Sequence, residues 1–400
     1  MPRVEAEAHE VSTPAGAVPS GERTLPGIAG YFLRLGAYGF GGPIALVGYM
    51  HRDLVERRGW FSDDEYRQGL ALAQTMPGPL AAQLAMWLGF LTRGILGSAA
   101  VAVAFITPPF LLVTAAAVIY VENQGSTVVH ALFRGVGPTI VAIVAIASVK
   151  LARTTNKRDP LLWATAAGVC AVTVIAGAEI VWLFLAAGVF GAIIYGGGLP
   201  KRGAVASVGP LNLIATVKGL SLTGSGAGLG TLGLFFLQAG AFTFGSGLAV
   251  VPFLHQGLVN DHRWLSEQQF VDCVALGIIS PGPVVIIGTV AGYVVYGLTG
   301  ALVATVAVFL PAFLLVVLVG RAYRRHADHP RLKGFVSGAT AAASGAIAGA
   351  AIVIAKGIVN DAASVAIVAV SLVVLLQKRV RVPEPALIAV CAGLGLVAFG

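Results

Sequence analysis

Two clusters in this chain could bind an ion through main-chain groups alone. One is Gly39-Phe40-Gly41-Gly42-Pro43 and the other is Pro77-Gly78-Pro79. Both sit within apolar stretches. A glycine in a helix interior costs about 1 kcal/mol relative to alanine. A proline removes an N–H and clashes with the preceding turn, at about 3 kcal/mol or more. Helices must therefore break at both places, and a new one can restart after the second, with a proline in its first turn. Unpaired N–H groups at such a restart, with the positive end of the helix dipole, suit an anion. The competing readings are close helix packing for the glycines and a simple kink for the prolines.

Arg34 adds a charge. If the first helix starts near Leu25, Arg34 lies nine residues in, about 14 Å along the axis at about 1.5 Å per residue. Near mid-bilayer an arginine costs about 2.5–3.5 kcal/mol and needs a partner or a wet cavity; nearer the edge it would snorkel to the interface. Gln74 and Gln83 flank Pro-Gly-Pro as neutral donors for an oxyanion or for a neighbouring helix. Carboxylates are scarce in the apolar segments, which tilts the expected substrate from cation to anion. The titratable groups left for proton coupling are His51 and His255, with Asp53, Glu56, Asp63, Asp64, Glu65 and Asp272 near the same loops. As solvated loop charges they would do nothing.

These features come in pairs. Residues 32–79 align without a gap on 236–283, an offset of 236 − 32 = 204, and 18 of the 48 pairs are identical. Phe40-Gly41 matches Phe244-Gly245, His51 matches His255, Trp60 matches Trp264, and Pro77-Gly78-Pro79 matches Pro281-Gly282-Pro283. After a one-residue slip the match continues at offset 203, pairing Gly94 with Gly297 and Pro108 with Pro311. Arg34 is answered by neutral Gln238, and Gly42-Pro43 by Ser246-Gly247. Two related halves with broken apolar segments at corresponding positions point to a secondary transporter whose site lies where the halves meet.

Composition sets the class. Hydrophobic residues make up 57% and charged residues 11%, with a mean hydropathy of +0.86, whereas a soluble domain carries about 25% charged residues. The surplus apolar surface must face lipid, so the expected fold is an all-α polytopic membrane protein. The net charge of +8 is read as topology, the cations sitting between apolar stretches, and not as a nucleic-acid signal. Cys170, Cys273 and Cys391 have no metal-type spacing and read as small core residues. No cofactor and no Gly-x-x-x-x-Gly-Lys-[Ser/Thr] nucleotide loop is expected.

Residues 1–26 read as a disordered polar tail without a cleavable signal peptide. The first transporter repeat is expected over 27–198, a Gly/Ser-rich linker over 199–231 and the second repeat over 232–400. Six apolar segments fall in the first half, near 28–50, 68–91, 94–120, 132–152, 161–178 and 180–198, and six in the second. Ser62 with Glu65, and Ser266 with Gln269, have the capping-box spacing, so a helix should start at each serine and run toward its Pro-Gly-Pro.

Basic groups differ between corresponding loops. The first half carries Lys150, Arg153, Lys157 and Arg158 after its fourth segment; the second carries Arg321, Arg324, Arg325, Arg331 and Lys333 after its third. If basic loops are cytoplasmic, the halves are inverted-topology repeats. Inversion needs an odd number of crossings between equivalent points. Either one segment per half is a re-entrant hairpin, with the Pro-Gly-Pro segment the best candidate, or 204–220 crosses once more. A parallel repeat with twelve crossings is the alternative.

Phe-Gly-Gly-Pro, the Trp-[Phe/Leu]-Ser loop and the Pro-Gly-Pro some 34–36 residues beyond, all duplicated, closely resemble the chromate transporter (CHR) family in its long-chain, two-domain form. The resemblance spans about residues 28–400. It implies a multi-pass protein of the cytoplasmic membrane that exports chromate and confers chromate resistance, with sulfate as the chemically similar oxyanion. By that resemblance Gly41, Gly42, Pro43, Pro77, Gly78 and Pro79 carry the family motifs, and the second half keeps Gly245, Pro281, Gly282 and Pro283 but has Ser246 where the first has Gly42. The expected substrate-binding set is these residues with Arg34 and Gln74. Uptake or exchange of sulfate or another anion, and a passive anion channel, are the competing functions. A membrane enzyme would need clustered His/Asp or a Ser/His pair at one depth, which the sequence lacks. Protons are the candidate coupling ion, and a homodimer is compatible with the chain.

Overall fold

The computed structural model describes residues 24–176, 181–196, 228–243, 247–320, 329–377 and 382–399. Residues 1–23 of the expected tail, most of the expected linker, and Gly245 and Ser246 lie outside the described residues, while Thr24–Pro26, expected in the tail, form the cap and first turn of the first helix. Regular structure among the described residues is helical. The first half has α1 (Leu25–Tyr38), α2 (Gly42–Met50, continued by a π-helical turn, His51–Arg57), α3 (Asp63–Thr75), α4 (Leu80–Glu122), α5 (Thr127–Asn156), α6 (Pro160–Ala176) and α7 (Val181–Tyr195). The second half repeats the order with α8 (Leu229–Ala241), α9 (Val250–His255, continued by a π-helical turn, Gln256–Asp261), α10 (Glu267–Ile279), α11 (Ile287–Leu314), α12 (Pro330–Ile358), α13 (Ala362–Leu376) and α14 (Glu384–Phe399).

Local sequence sets the starts. The Thr24 hydroxyl caps α1 by accepting the Gly27 N–H at 3.2 Å, with Pro26 in the first turn. Complete capping boxes open α3 at Ser62/Glu65 and α10 at Ser266/Gln269, as their spacing requires.

The segments expected over 28–50 and 68–91 are not single helices. Each breaks at its glycine or proline cluster and folds back. The chain reverses at Gly39–Gly41, which returns the Arg58 guanidinium to 5.7 Å from the Tyr31 ring. It reverses again at Pro77-Gly78-Pro79, so that the Trp87 indole N–H donates to the Glu65 carbonyl at 3.3 Å. A third reversal sits inside α4. Gly94 has φ 59° and ψ −141°, which an L side chain resists. A Cβ on Gly89 would lie 2.5 Å from the Gly97 carbonyl oxygen, although residues eight apart in a straight helix are about 12 Å apart. Gly297, at φ 60° and ψ −150°, does the same in α11. Each half thus carries two re-entrant hairpins, α1–α2 and α3 with the first arm of α4 (80–92), before the long second arm (95–122) crosses. The sequence offered one re-entrant hairpin per half; the Gly-rich cluster supplies the second.

Packing follows the repeat. Gly36 of α1 meets the backbone of Phe105 in the long arm of α4, and its mate Gly240 meets the backbone of Val308 in α11. Gly135 of α5 meets Cys391 and Gly395 of α14, while Gly338 of α12 meets Ala187 and Gly191 of α7. Lipid offers no hydrophobic drive between helices, so close backbone approach through small residues is what holds them. Leu96, Val103, Leu111 and Ile119 form one exposed stripe on the long arm of α4, the face left to lipid.

Directions settle how the halves relate. Short links make α6 antiparallel to α5. Gly345 of α12 meets Ala166, and Gly349 meets Thr173, so α6 runs parallel to α12. Mates α5 and α12 therefore run antiparallel, with Gly137 near the start of one against Ile358 at the end of the other. A two-fold axis in the membrane plane produces this relation; an axis along the membrane normal does not. Four helices among the described residues are long and apolar enough to cross a membrane, the long arms of α4 and α11 with α5 and α12, and α6, α7, α13 and α14 are shorter apolar helices; if all eight cross, inversion needs one further change of side between the halves. The stretch offered for it, 204–220, lies outside the described residues.

Candidate functional site

The four hairpin tips meet, and they meet across the halves. The Gly78 N–H donates to the Thr243 carbonyl at 2.6 Å, and the Gly282 N–H donates to the Gly39 carbonyl at 3.0 Å. Gly78 and Gly282 are mates, as are Gly39 and Thr243, so one hydrogen bond is made twice by the pseudo-two-fold. Each Pro-Gly-Pro tip also presses on the opposite half. A Cβ on Gly78 would lie 3.0 Å from Ala312 Cβ, and one on Gly282 would lie 2.9 Å from Pro109 Cγ; Pro109 and Ala312 are again mates. The φ values of 134° and 91° make both positions strained for any other residue, at about 1–3 kcal/mol.

Helix starts at the tips contrast with those at the outer ends. Gly41 and Pro79 precede α2 and α4, and Pro283 precedes a 3-10 turn (Val284–Ile286) that runs into α11, all without any side-chain cap, whereas Ser62 and Ser266 cap theirs fully. Pro79 and Pro283 occupy the cap position itself, one residue earlier than a first-turn proline. Each uncapped start presents N–H groups and the positive dipole end at the junction. Gln83, fully buried, donates its Nε2 to the Pro77 carbonyl at 2.7 Å and so holds the first tip, while its Oε1 has no partner.

Of the expected site residues, Pro77, Gly78, Pro79, Gly282, Pro281 and Pro283 are brought together with the Gly39–Pro43 tip. Gly41 is exposed at its tip, and Gly42 and Pro43 are half-buried. Gln74 is exposed on the last turn of α3. Arg34 is exposed on α1 and lines a cleft of about 420 Å³ with Thr24, Tyr31, Arg58 and Trp60, a lining without tip residues. Arg34 forms no ion pair among the described residues.

Two acid–base features were not separable in the sequence. His51 Nε2 lies 3.0 Å from Asp63 and its Nδ1 3.0 Å from Glu56, and the mate His255 lies 2.9 Å from Glu267. The His51–Asp63 and His255–Glu267 pairs latch the first hairpin of each half to the second. The His51 bond, aided by Arg67, holds the Asp63 carboxyl below the usual carboxylate range. Asp272 is different. It is 3% exposed, and accepts hydrogen bonds from the Tyr120 hydroxyl of the other half at 2.7 Å and from Gln268 at 2.8 Å. Of the groups on α4, α5, α12 and α14, which pack against α10, only Tyr120 bonds it; no cation forms an ion pair with it among the described residues. Its mate in the first half is Gln68. That Asp/Gln exchange in a capped helix was the available signal, Asp272 being buried where Gln68 is exposed.

The chromate transporter family profile matches residues 27–192 and 230–396, one match per half. The chain belongs to the chromate transporter family. It is 46% identical over 394 residues to a chromate transport protein of Cupriavidus metallidurans, covering 97% of each chain. It is 43% identical to a probable chromate transport protein of Synechococcus elongatus, covering 94% of this chain and 95% of that one. A chromate transport protein of Pseudomonas aeruginosa is 30% identical over 83% of this chain and 82% of its own. No solved structure matches. The chain is a multi-pass membrane protein of this family, and the hairpins set Gly-Gly-Pro and Pro-Gly-Pro at one junction.

Proposed function

We propose that the protein is a secondary active transporter that exports a tetrahedral oxyanion, chromate foremost and sulfate by chemical similarity, across the cytoplasmic membrane. The reciprocal bonding of the tips, Gly78 to Thr243 and Gly282 to Gly39, carries this reading. It fixes uncapped helix starts from both halves around one point, where main-chain donors can replace the hydration of a dianion. Half a unit of dipole charge per start, about +0.5 each, offsets part of the charge of such an ion. The relatives named chromate transport proteins support the choice of ion.

Sidedness supports export. The hairpins of the first half open toward the same end as the α5–α6 link, which carries Lys157 and Arg158. By the positive-inside rule that end is cytoplasmic, which supports loading of the anion from inside. Protons are the coupling ion in this reading, and Asp272 is the group that carries them. Its carboxyl can exchange a proton only when movement between α10 and α4 admits water. The test is radiolabelled chromate flux into inside-out vesicles under imposed pH gradients and potentials. Gradient-driven accumulation that unlabelled sulfate reduces is expected; uptake no greater than in vesicles lacking the protein would overturn the reading.

A further inference from the structure

We propose that the cleft beside α1 is a separate capture site for tetrahedral oxyanions, in which Arg58 and Arg34 supply charge and the Tyr31 hydroxyl supplies a hydrogen bond. The proposal rests on oxyanion export as the function and adds the place where the ion is first held.

Thr24, Gly27, Tyr31 and Arg34 recur at three- and four-residue intervals along one face of α1. The cleft they line is therefore a groove about 15 Å long, at about 1.5 Å per residue. Arg58 and Trp60 form its other wall. A volume of about 420 Å³ admits an oxyanion with part of its water shell, since one water occupies about 30 Å³.

The groove is furnished for an anion. Arg58 stacks over Trp60 with 4.6 Å from guanidinium carbon to ring centroid, and over Tyr31 at 5.7 Å. Stacking fixes the guanidinium plane and leaves its N–H edge free for a bidentate contact. The nearby carboxylate of Asp53 is taken by Arg52 and Arg57. Tyr31 is 8% exposed, and its hydroxyl has no hydrogen-bond partner among the described residues. A buried hydroxyl beside two arginines that form no ion pair among the described residues is an incomplete set of donors.

The second half has no counterpart. Tyr31, Arg34 and Arg58 are answered by Phe235, Gln238 and His262. There His262 stacks on Trp264 at 4.2 Å, and Phe235 stacks on Phe253 at 5.3 Å. An aromatic cluster fills the place of the groove, so capture is built on one side only.

Two measurements test this. In inside-out vesicles, Arg58→Gln should raise the KM for chromate at least tenfold with the maximal rate within twofold of the parent. Tyr31→Phe should raise KM about threefold, Arg58→Lys should fall between, and His262→Gln on the opposite side should leave KM unchanged. Separately, sodium sulfate titrated into the purified protein should change tryptophan fluorescence, and Trp60→Phe or Arg58→Gln should remove that change, with sodium chloride as control. A sulfate response that depends on Arg58 in a protein that moves no chromate would keep the site and overturn the export reading. Parent-like KM in Arg58→Gln, or a sulfate response indifferent to Arg58, would overturn the site.

Discussion

Asp272 shows how much one side chain can depend on what surrounds it. In the sequence it stands among loop carboxylates; in the fold it is buried, held by Tyr120 of the other half and by Gln268. If it carries the coupling proton, Asp272→Asn, which keeps the size and one acceptor, should abolish acceleration of chromate flux by an imposed pH gradient while sparing chromate exchange at equal pH. An unchanged response to the gradient would assign coupling elsewhere. Gln68, its mate, offers the matching control: Gln68→Ala should leave the gradient response intact. The residue types at the tips were legible because Gly and Pro announce a broken backbone. The partners of Asp272 were not, because a contact over 152 positions leaves no local trace. The same holds for Arg58, which the sequence places in a charged loop and the fold returns to Tyr31.

At the scale of elements, the sequence reveals where helices break but not the angle at which they resume. Pro77-Gly78-Pro79 and Gly39–Pro43 read equally well as kinks in continuous spans, and only packing, such as Trp87 on Glu65, turns each break into a hairpin. Capping boxes were legible in full, since they are local and complete within four residues. The histidine latches then hold the paired hairpins. Because the Asp63 carboxyl is held below its ordinary value, chiefly by the His51 hydrogen bond, its stabilisation is present at neutral pH and is lost as pH falls through that depressed value, below the ordinary range of about 4. Asp63→Asn should therefore lower the Tm in detergent at pH 7 and match the parent once the parent's own carboxyl is protonated. A deficit independent of pH would show that Asp63 acts through helix capping instead. Conversely, Gly168→Ala in α6, where an added methyl meets open space, should raise stability slightly, by about 0.5–1 kcal/mol.

For the whole molecule, the internal repeat and the alternation of basic loops made inversion readable, and the antiparallel run of α5 against α12 agrees with it. Arg158→Cys and Asn360→Cys sit in corresponding links, α5–α6 and α12–α13. In a protein with Cys170, Cys273 and Cys391 replaced, an impermeant thiol reagent should label them from opposite faces of the membrane; labelling from one shared face would require a parallel repeat. What inversion accomplishes is to bring tips that enter from the two faces into contact, and the central claim is that the oxyanion passes at that contact. It is tested most directly by chromate flux in inside-out vesicles carrying Gly78→Ala, Gly282→Ala or, as the control in the same assay, Gly168→Ala, at matched protein amounts. A methyl at either tip meets the opposite half, at Ala312 or Pro109, in a backbone conformation that only glycine adopts easily. Both tip variants should insert and accumulate yet lose at least tenfold in flux, while Gly168→Ala transports like the parent; tip variants that transport like that control would contradict the account.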